Sequence, residues 1–222
     1  MKRLVIVAFV FLSQIAIGQV TRNLGDFDEV KVFDKINVQL IPSTENKIEI
    51  KGFRAEEMQT VNKNGELKIR MPFPKLLSGD DIVVKLYFKR IESISVSEGS
   101  YVSCEIDFKQ TSVELNATSG GEIDLKIDVD KVSVKANAAG IVSISGKATN
   151  QNVTITSGGI LNAKDLETAQ TSISVSAGGQ SEIRASMLVD AKVKAGGSIF
   201  IYGKPKQINK DVFIGGTILE KN

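Results

Sequence analysis

Residues 175–183 read VSAGGQSEI, two adjacent glycines between stretches that alternate apolar and polar residues. A glycine pair of this kind is either a ligand-cradling loop or a structural corner. A phosphate loop needs its glycines to open a helix whose amide N–H groups face the anion. Here a strand pattern follows the pair, and the chain contains neither G-x-G-x-x-G nor GK[ST]. The corner reading is strengthened by repetition. Related pairs occur at Gly99-Ser100, Gly120-Gly121, Ala139-Gly140, Gly158-Gly159, Gly178-Gly179, Gly196-Gly197 and Gly215-Gly216, and their second members are 21, 19, 19, 20, 18 and 19 residues apart. Self-similarity at a period near twenty marks a repeat architecture.

The flanking columns define the repeat further. Four residues before the second member stand Val96, Ala117, Ala136, Ile155, Val175, Val193 and Val212, all apolar; two before it stand Glu98, Ser119, Ala138, Ser157, Ala177, Ala195 and Ile214, mostly small. Two after it come Val102, Ile123, Val142, Leu161, Ser181, Ile199 and Ile218, and four after it Cys104, Leu125, Ile144, Ala163, Ile183 and Ile201. Both flanks therefore alternate with the period of a strand. Strand, bend and strand within about twenty residues leave no room for a helix. Stacked copies can satisfy their backbones by hydrogen-bonding coil to coil at ~4.8 Å.

The expected fold is all-β, a right-handed parallel β-helix or solenoid with coils of 19–20 residues, its hand following the general preference of parallel crossovers. The repeats span about 94–218. The small column is expected inside the corner, with Val175 and Ala177 both pointing to the core. Ahead of the repeats, DEVKVF, KINVQLIPS, NKIEIKGF, ELKIRMPF and DIVVKLYF alternate in the same sense and read as β-hairpins or irregular first coils; one helical turn or two fits FRAEEMQTV.

At the start of the chain, Lys2 and Arg3 precede an apolar run from Leu4 to Leu12 and then Ala16-Ile17-Gly18, the pattern of a cleaved secretory signal over 1–18. That run is far shorter than the ~20 residues that span a bilayer, so no integral membrane segment is expected after cleavage. Residues 19–222 read as a single domain. The chain carries 28 basic and 26 acidic residues; without Lys2 and Arg3 the two signs balance, which disfavours nucleic acid and anionic membrane surfaces as partners.

Chemistry is thinly supplied. With no His among 222 residues, serine-triad and His-metal mechanisms lose their usual general base and ligand. Asp124, Asp128 and Asp130 in GGEIDLKIDVDK would suit a calcium β-roll, but the residues at the places of Asp124 in later repeats are Ser143, Asn162, Glu182 and Phe200, so a solvated strand face is expected. Glu98, Glu122, Asp124, Asp165, Glu167 and Glu182 are spread over coils without the paired arrangement of polysaccharide-cleaving β-helices. Tyr87, Tyr101 and Tyr202 are a thin supply of rings for sugar stacking. Cys104, the only cysteine, falls in an inward column and is expected to resist thiol reagents.

On these features the chain resembles the head GIN domain family of autotransporter adhesins. The likeness rests on the opening LGDFDEVKVFDKINVQLI, on NGELKIRM, on the small-Gly-Gly-x-apolar bends, and most specifically on the closing GGSIFIYGKPKQINKDVFIGGTI with Tyr202-Gly203-Lys204-Pro205. It implies an exported, solenoid-like adhesion domain with no catalytic residue, cofactor or metal to carry over. The residues assigned a role are the turn glycines: Gly99, Gly120, Gly121, Gly140, Gly158, Gly159, Gly178, Gly179, Gly196, Gly197, Gly215 and Gly216. The expected function is a secreted, periplasmic or cell-surface binding module, not an enzyme, that meets host matrix, glycan or another envelope protein through outward residues such as Glu122, Asp124, Ser143, Asn162, Glu182, Ser198 and Phe200. An envelope scaffold or homo-oligomerising spacer, and a carbohydrate-active β-helix enzyme, are the alternatives.

Overall fold

The computed structural model describes residues 19–221; the leader expected over 1–18 lies outside the described residues. In chain order the strands are β1 (Gln19–Asn23), β2 (Glu29–Val32), β3 (Asn37–Pro42), β4 (Lys47–Lys51), β5 (Gln59–Lys63), β6 (Glu66–Arg70), β7 (Val83–Phe88) and β8 (Ser93–Val96). They continue with β9 (Tyr101–Ala117), β10 (Glu122–Ala136), β11 (Ile141–Ile155), β12 (Ile160–Val175), β13 (Gln180–Ala195), β14 (Ser198–Tyr202), β15 (Gln207–Ile214) and β16 (Thr217–Glu220). All sixteen belong to one sheet wound into a solenoid of about 7 turns with ~19-residue coils. No helix forms among the described residues. The stretch expected to be helical makes two tight turns instead, with Ala55 N–H on Gly52 C=O (3.3 Å) and Glu57 N–H on Arg54 C=O (3.0 Å), and then enters β5.

From β9 to β13 each coil is one long bent strand, and the last coil is divided into β14 and β15; all run parallel to their neighbours. Val102, Ile123, Val142, Leu161, Ser181 and Ile199 lie on one inward ladder, and Cys104 stacks on Leu125. Every member of the first ladder is fully buried. Burying a Val, Ile or Leu stabilises the fold by roughly 1.5–3 kcal/mol, and the ladder repeats that gain in every one of these coils except that of Ser181.

At 120–121, 158–159 and 178–179 the two glycines have different tasks, whereas at 196–197 and 215–216 both adopt positive φ. At 156–159 the N–H of Gly159 donates to the carbonyl of Thr156 (2.9 Å), while Ser157 (φ 49°) and Gly158 (φ 73°) both occupy the left-handed region. That is a type I′ turn, which demands positive φ at both central residues. A Cβ on Gly158 would meet nothing, so only its backbone angle selects glycine. Gly159 has no such angle, but a Cβ there would lie 2.3 Å from the carbonyl oxygen of Ala136 in the coil beneath. The first glycine bends the chain; the second lets the coils approach.

The small column is therefore not inward. Ser119, Ala138, Ser157 and Ala177 are exposed, because the turn breaks the alternation that places Val175 in the core. Their small or polar character reflects the left-handed angle they must adopt. Ala139, at a first-glycine position, adopts φ 61° without glycine's freedom. Ser100, at a second-glycine position, is tolerated because the coil beneath is different: its hydroxyl accepts the N–H of Ile36 at 3.2 Å.

That lower coil is β2, a turn at 33–36, and β3. Asp34 (φ 65°) and Lys35 (φ 63°) make the same left-handed pair with no glycine, and Lys35 N–H donates to Glu98 C=O as each later turn does to its neighbour. The β2 and β3 strands stack on β8 and β9, with Lys31 opposite Ser95 and Asn37 opposite Tyr101. On their other side lie β6 and β7. Stack order thus departs from chain order, since the coil made by β6 and β7 sits outside the one that precedes it in sequence. Antiparallel strands close this end, β4 and β1 beyond β7, and β5 beyond β6. The expected hairpins and irregular coils are both present, and together they form a cap.

Asp34 fastens the cap. It is 1% exposed, and its carboxylate accepts N–H bonds from Met71 (2.9 Å) and Leu77 (2.8 Å), while its carbonyl accepts that of Gly79 (2.9 Å). The connection between β6 and β7 is thereby held against the first turn.

Candidate outer recognition face

The outward residues expected to act as one row form two ladders. One runs Asn37, Tyr101, Glu122, Ile141, Ile160, Gln180, Ser198; the other runs Gln39, Ser103, Asp124, Ser143, Asn162, Glu182, Phe200. Register places neighbours along each ladder about 4.8 Å apart. Glu122 and Ser198 are thus separated from Asp124, Ser143, Asn162, Glu182 and Phe200, although all share one face.

Side chains on this face bond from coil to coil. The Tyr101 hydroxyl donates to Asp124 Oδ2 (3.4 Å), Asn162 Nδ2 to Ser143 Oγ (3.1 Å), and the Tyr202 hydroxyl to Glu182 Oε1 (3.1 Å). Partial burial, then the Asp124 charge, pushes the Tyr101 phenol above its ordinary range; partial burial and the Glu182 bond do the same for Tyr202. Both tyrosines remain protonated donors near neutral pH. Tyr87, on the neighbouring cap strand, also reaches a carboxylate, Glu49 (3.3 Å), and Lys47 lies 4.4 Å from its ring centre.

The rings gather at the far end of the face. Phe200 stands opposite Glu182 and Tyr202 opposite Arg184 on adjoining strands, and Lys221 Nζ is 5.1 Å from the centre of the Phe200 ring. All four facing side chains are half-buried. Two rings between a carboxylate and a guanidinium suit a hydroxyl-rich ligand, which stacks its C–H faces on rings and shares its hydroxyls with charged groups. Sequence reading placed Glu182 and Phe200 in one outward row and named Tyr202 apart from them; the register joins Tyr202 to the pair and adds Arg184.

A second concavity lies on the flank of the solenoid. Between Cys104 and Phe108 strand β9 bulges, advancing four residues while β10 advances two from Leu125 to Ile127. The bulge turns Ile106 outward and opens a cleft of about 650 Å³ lined by Pro42, Phe88, Ile106 and Phe108, with Glu105 and Asp107 at its edge. Asp107 pairs with Lys126 at 2.9 Å, which holds its carboxyl below the usual range. Cys104 is 5% exposed, its thiol donates to Ile106 C=O at 3.1 Å, and burial pushes its pKa up.

Of the other sequence candidates, Asp165, Glu167 and Glu98 are exposed and isolated from the two ladders. Asp128 pairs with Lys109 (3.6 Å), and no group of three potential metal ligands converges among the described residues. A buried polar run was missed: Thr168 and Thr171 lie 2.9 Å apart in the interior, and Thr171 bonds Gln151 at 3.1 Å. Its signal was a glutamine in phase with the inward Val113 and Val132. No helix among the described residues is long and apolar enough to cross a membrane.

The fold and the continuous outer ladders define a β-solenoid domain. The family model described as "Putative auto-transporter adhesin, head GIN domain" matches residues 26–205, and the chain belongs to that family. Three solved structures share the fold. A putative adhesin from Bacteroides fragilis is 20% identical with a TM-score of 0.83, covering 92% of this chain and 97% of its own. One from Parabacteroides merdae is 17% identical at a TM-score of 0.73 (93% and 96%), and one from Parabacteroides distasonis is 21% identical at 0.70 (92% and 97%). No curated protein matches the chain.

Proposed function

We propose that this chain is an exported recognition module that binds a glycan along its outer face and performs no chemistry. The carrying observation is the cluster of Phe200, Tyr202, Glu182 and Arg184 at the end of the two in-register outer ladders. Its geometry offers a stacking platform and a run of hydroxyl, amide and carboxylate groups at the coil repeat. Membership of an adhesin family supports the reading. Electrostatics also supports it: a general acid needs a carboxyl raised toward neutrality, whereas every carboxyl here with a resolved shift (Glu66, Asp107 and Glu114) is lowered by lysine partners.

Glycan and matrix-protein arrays probed with the wild type and with a Phe200→Ala/Tyr202→Ala variant test it. Binding to a glycan that falls at least tenfold in the variant, with an unchanged melting temperature, supports the proposal. Binding that ignores the variant, or release of reducing or unsaturated sugar ends by the wild type, counts against it.

A further inference from the structure

The outer face carries a third ladder at its C-terminal end, two residues beyond the one that holds Glu182 and Phe200. Ala163 opposite Ile183 sets Lys164 beside Arg184, Arg184 stands opposite Tyr202, and Ile201 opposite Glu220 sets Lys221 beside Tyr202. Three of these four side chains are cations. At the coil repeat, Arg184 and Lys221 are about 10 Å apart with Tyr202 between them. Lys204 and Lys206 follow Tyr202 on an exposed segment.

These charges are not consumed within the fold. Among the described residues Lys164, Arg184, Lys204, Lys206 and Lys221 form no ion pair, whereas Lys126 is taken by Asp107 (2.9 Å) and Lys210 by Glu220 (2.7 Å). The acids set against them are fewer. Asp165 is exposed beside Lys164, and Glu182 accepts the Tyr202 hydroxyl at 3.1 Å, while Glu167 lies opposite Lys147 on the flank. This end of the face is therefore positive, although the chain from Gln19 onward balances its charges.

Arg184 is also held in place. Its Nε donates to the carbonyl of Lys164 at 2.6 Å, and its stem lies against Gly203, where a Cβ would come within 2.9 Å of Arg184 Cγ. The Nη donors have no partner among the described residues. A guanidinium fixed through Nε can offer them to both oxygens of a carboxylate or sulfate. Lys221 Nζ, 5.1 Å from the centre of the Phe200 ring, sets the second cation beside a stacking surface.

We propose that the glycan taken by this face is anionic, with its carboxylate or sulfate groups held by Arg184 and Lys221 while its sugar rings stack on Phe200 and Tyr202. This inference rests on the glycan reading above and narrows its ligand class.

Matched polymers test it on the purified protein by biolayer interferometry. Polygalacturonate against its methyl-esterified form, and dextran sulfate against dextran, separate the anion from the sugar and the carboxylate from the sulfate. At least tenfold tighter binding to one charged polymer than to its neutral counterpart is expected, weakening as salt rises. Arg184→Gln/Lys221→Gln, at an unchanged melting temperature, is expected to abolish that preference, and Phe200→Ala/Tyr202→Ala to weaken binding at least tenfold. Equal binding of charged and neutral polymers that still requires Phe200 and Tyr202 overturns the anionic assignment and leaves the glycan reading standing. Binding that ignores Phe200→Ala/Tyr202→Ala, or that is as tight to single-stranded DNA, also overturns it, because the patch would then act as a plain polycation. Failure to bind any of these polymers or any arrayed glycan overturns both.

Discussion

Residues 93–221 and residues 19–92 wind into the same solenoid by different means. In the C-terminal part every coil neighbours its successor, the corners carry glycine, and one inward ladder serves all coils. In the N-terminal part the chain skips a place in the stack, the corner at 33–36 has no glycine, and two antiparallel edges close the end. The regular part is held by repeated small gains along ladders, so damage to one coil is shared by its neighbours. The cap depends on single residues that fix non-repeating connections, and Asp34 is foremost among them.

Substitution should expose this contrast. Asp34→Ala leaves two amide donors without their carboxylate, and at about 1–3 kcal/mol each a loss of about 2–6 kcal/mol is expected in urea melts. If the loss stays below about 1 kcal/mol, the cap does not hang on Asp34. Gly159→Val, in the regular part, drives a side chain into the Ala136 carbonyl and should cost about 1–3 kcal/mol or more. Gly158→Ala, one residue earlier, meets open space and should cost only about 1 kcal/mol, from its positive φ alone. Ala139→Gly should return about as much, because it relieves the one regular turn that lacks its first glycine. Equal costs at 158 and 159 would sink the division of labour between the two glycines.

The smallest effect concerns pH. In the cap, Glu66 bonds Lys31 and Lys68, and these lysines lower its pKa from 4.5 to about 2. A depressed carboxyl contributes stability that is fully present above its unfolded pKa and lost as pH falls toward the folded value. Glu66→Gln should therefore flatten the decline in melting temperature between pH 4.5 and 2. An unaltered decline would show that these exposed pairs contribute nothing measurable.

Most of the regular part was legible because its physics is periodic: alternation gave the strands and glycine spacing gave the coils. The small column was misplaced because alternation was carried through the turn, where positive φ at Ala177 and Gly178 turns the side chain out. The corner at 33–36 was invisible because Asp34 and Lys35 adopt left-handed angles without glycine. The stack order of β2, β3, β6 and β7 was invisible for another reason. Short alternating strands state which face is apolar, not which strand lies alongside. The outer row divides into two ladders because Glu122 and Asp124, like Ser198 and Phe200, stand two residues apart on one strand, and Arg184 meets Tyr202 one step further along.

Cross-linking tests the stack order most directly. Cα atoms of adjacent coils, about 4.8 Å apart, fall within disulfide range, whereas those two coils apart exceed the ~7 Å limit. In a Cys104→Ala background, Lys31→Cys with Ser95→Cys should oxidise readily without loss of stability, and Lys68→Cys with Ser95→Cys should not, because β2 lies between β6 and β8. Ready oxidation of the 68–95 pair with failure of the 31–95 pair would put the coils in chain order and contradict the cap described above.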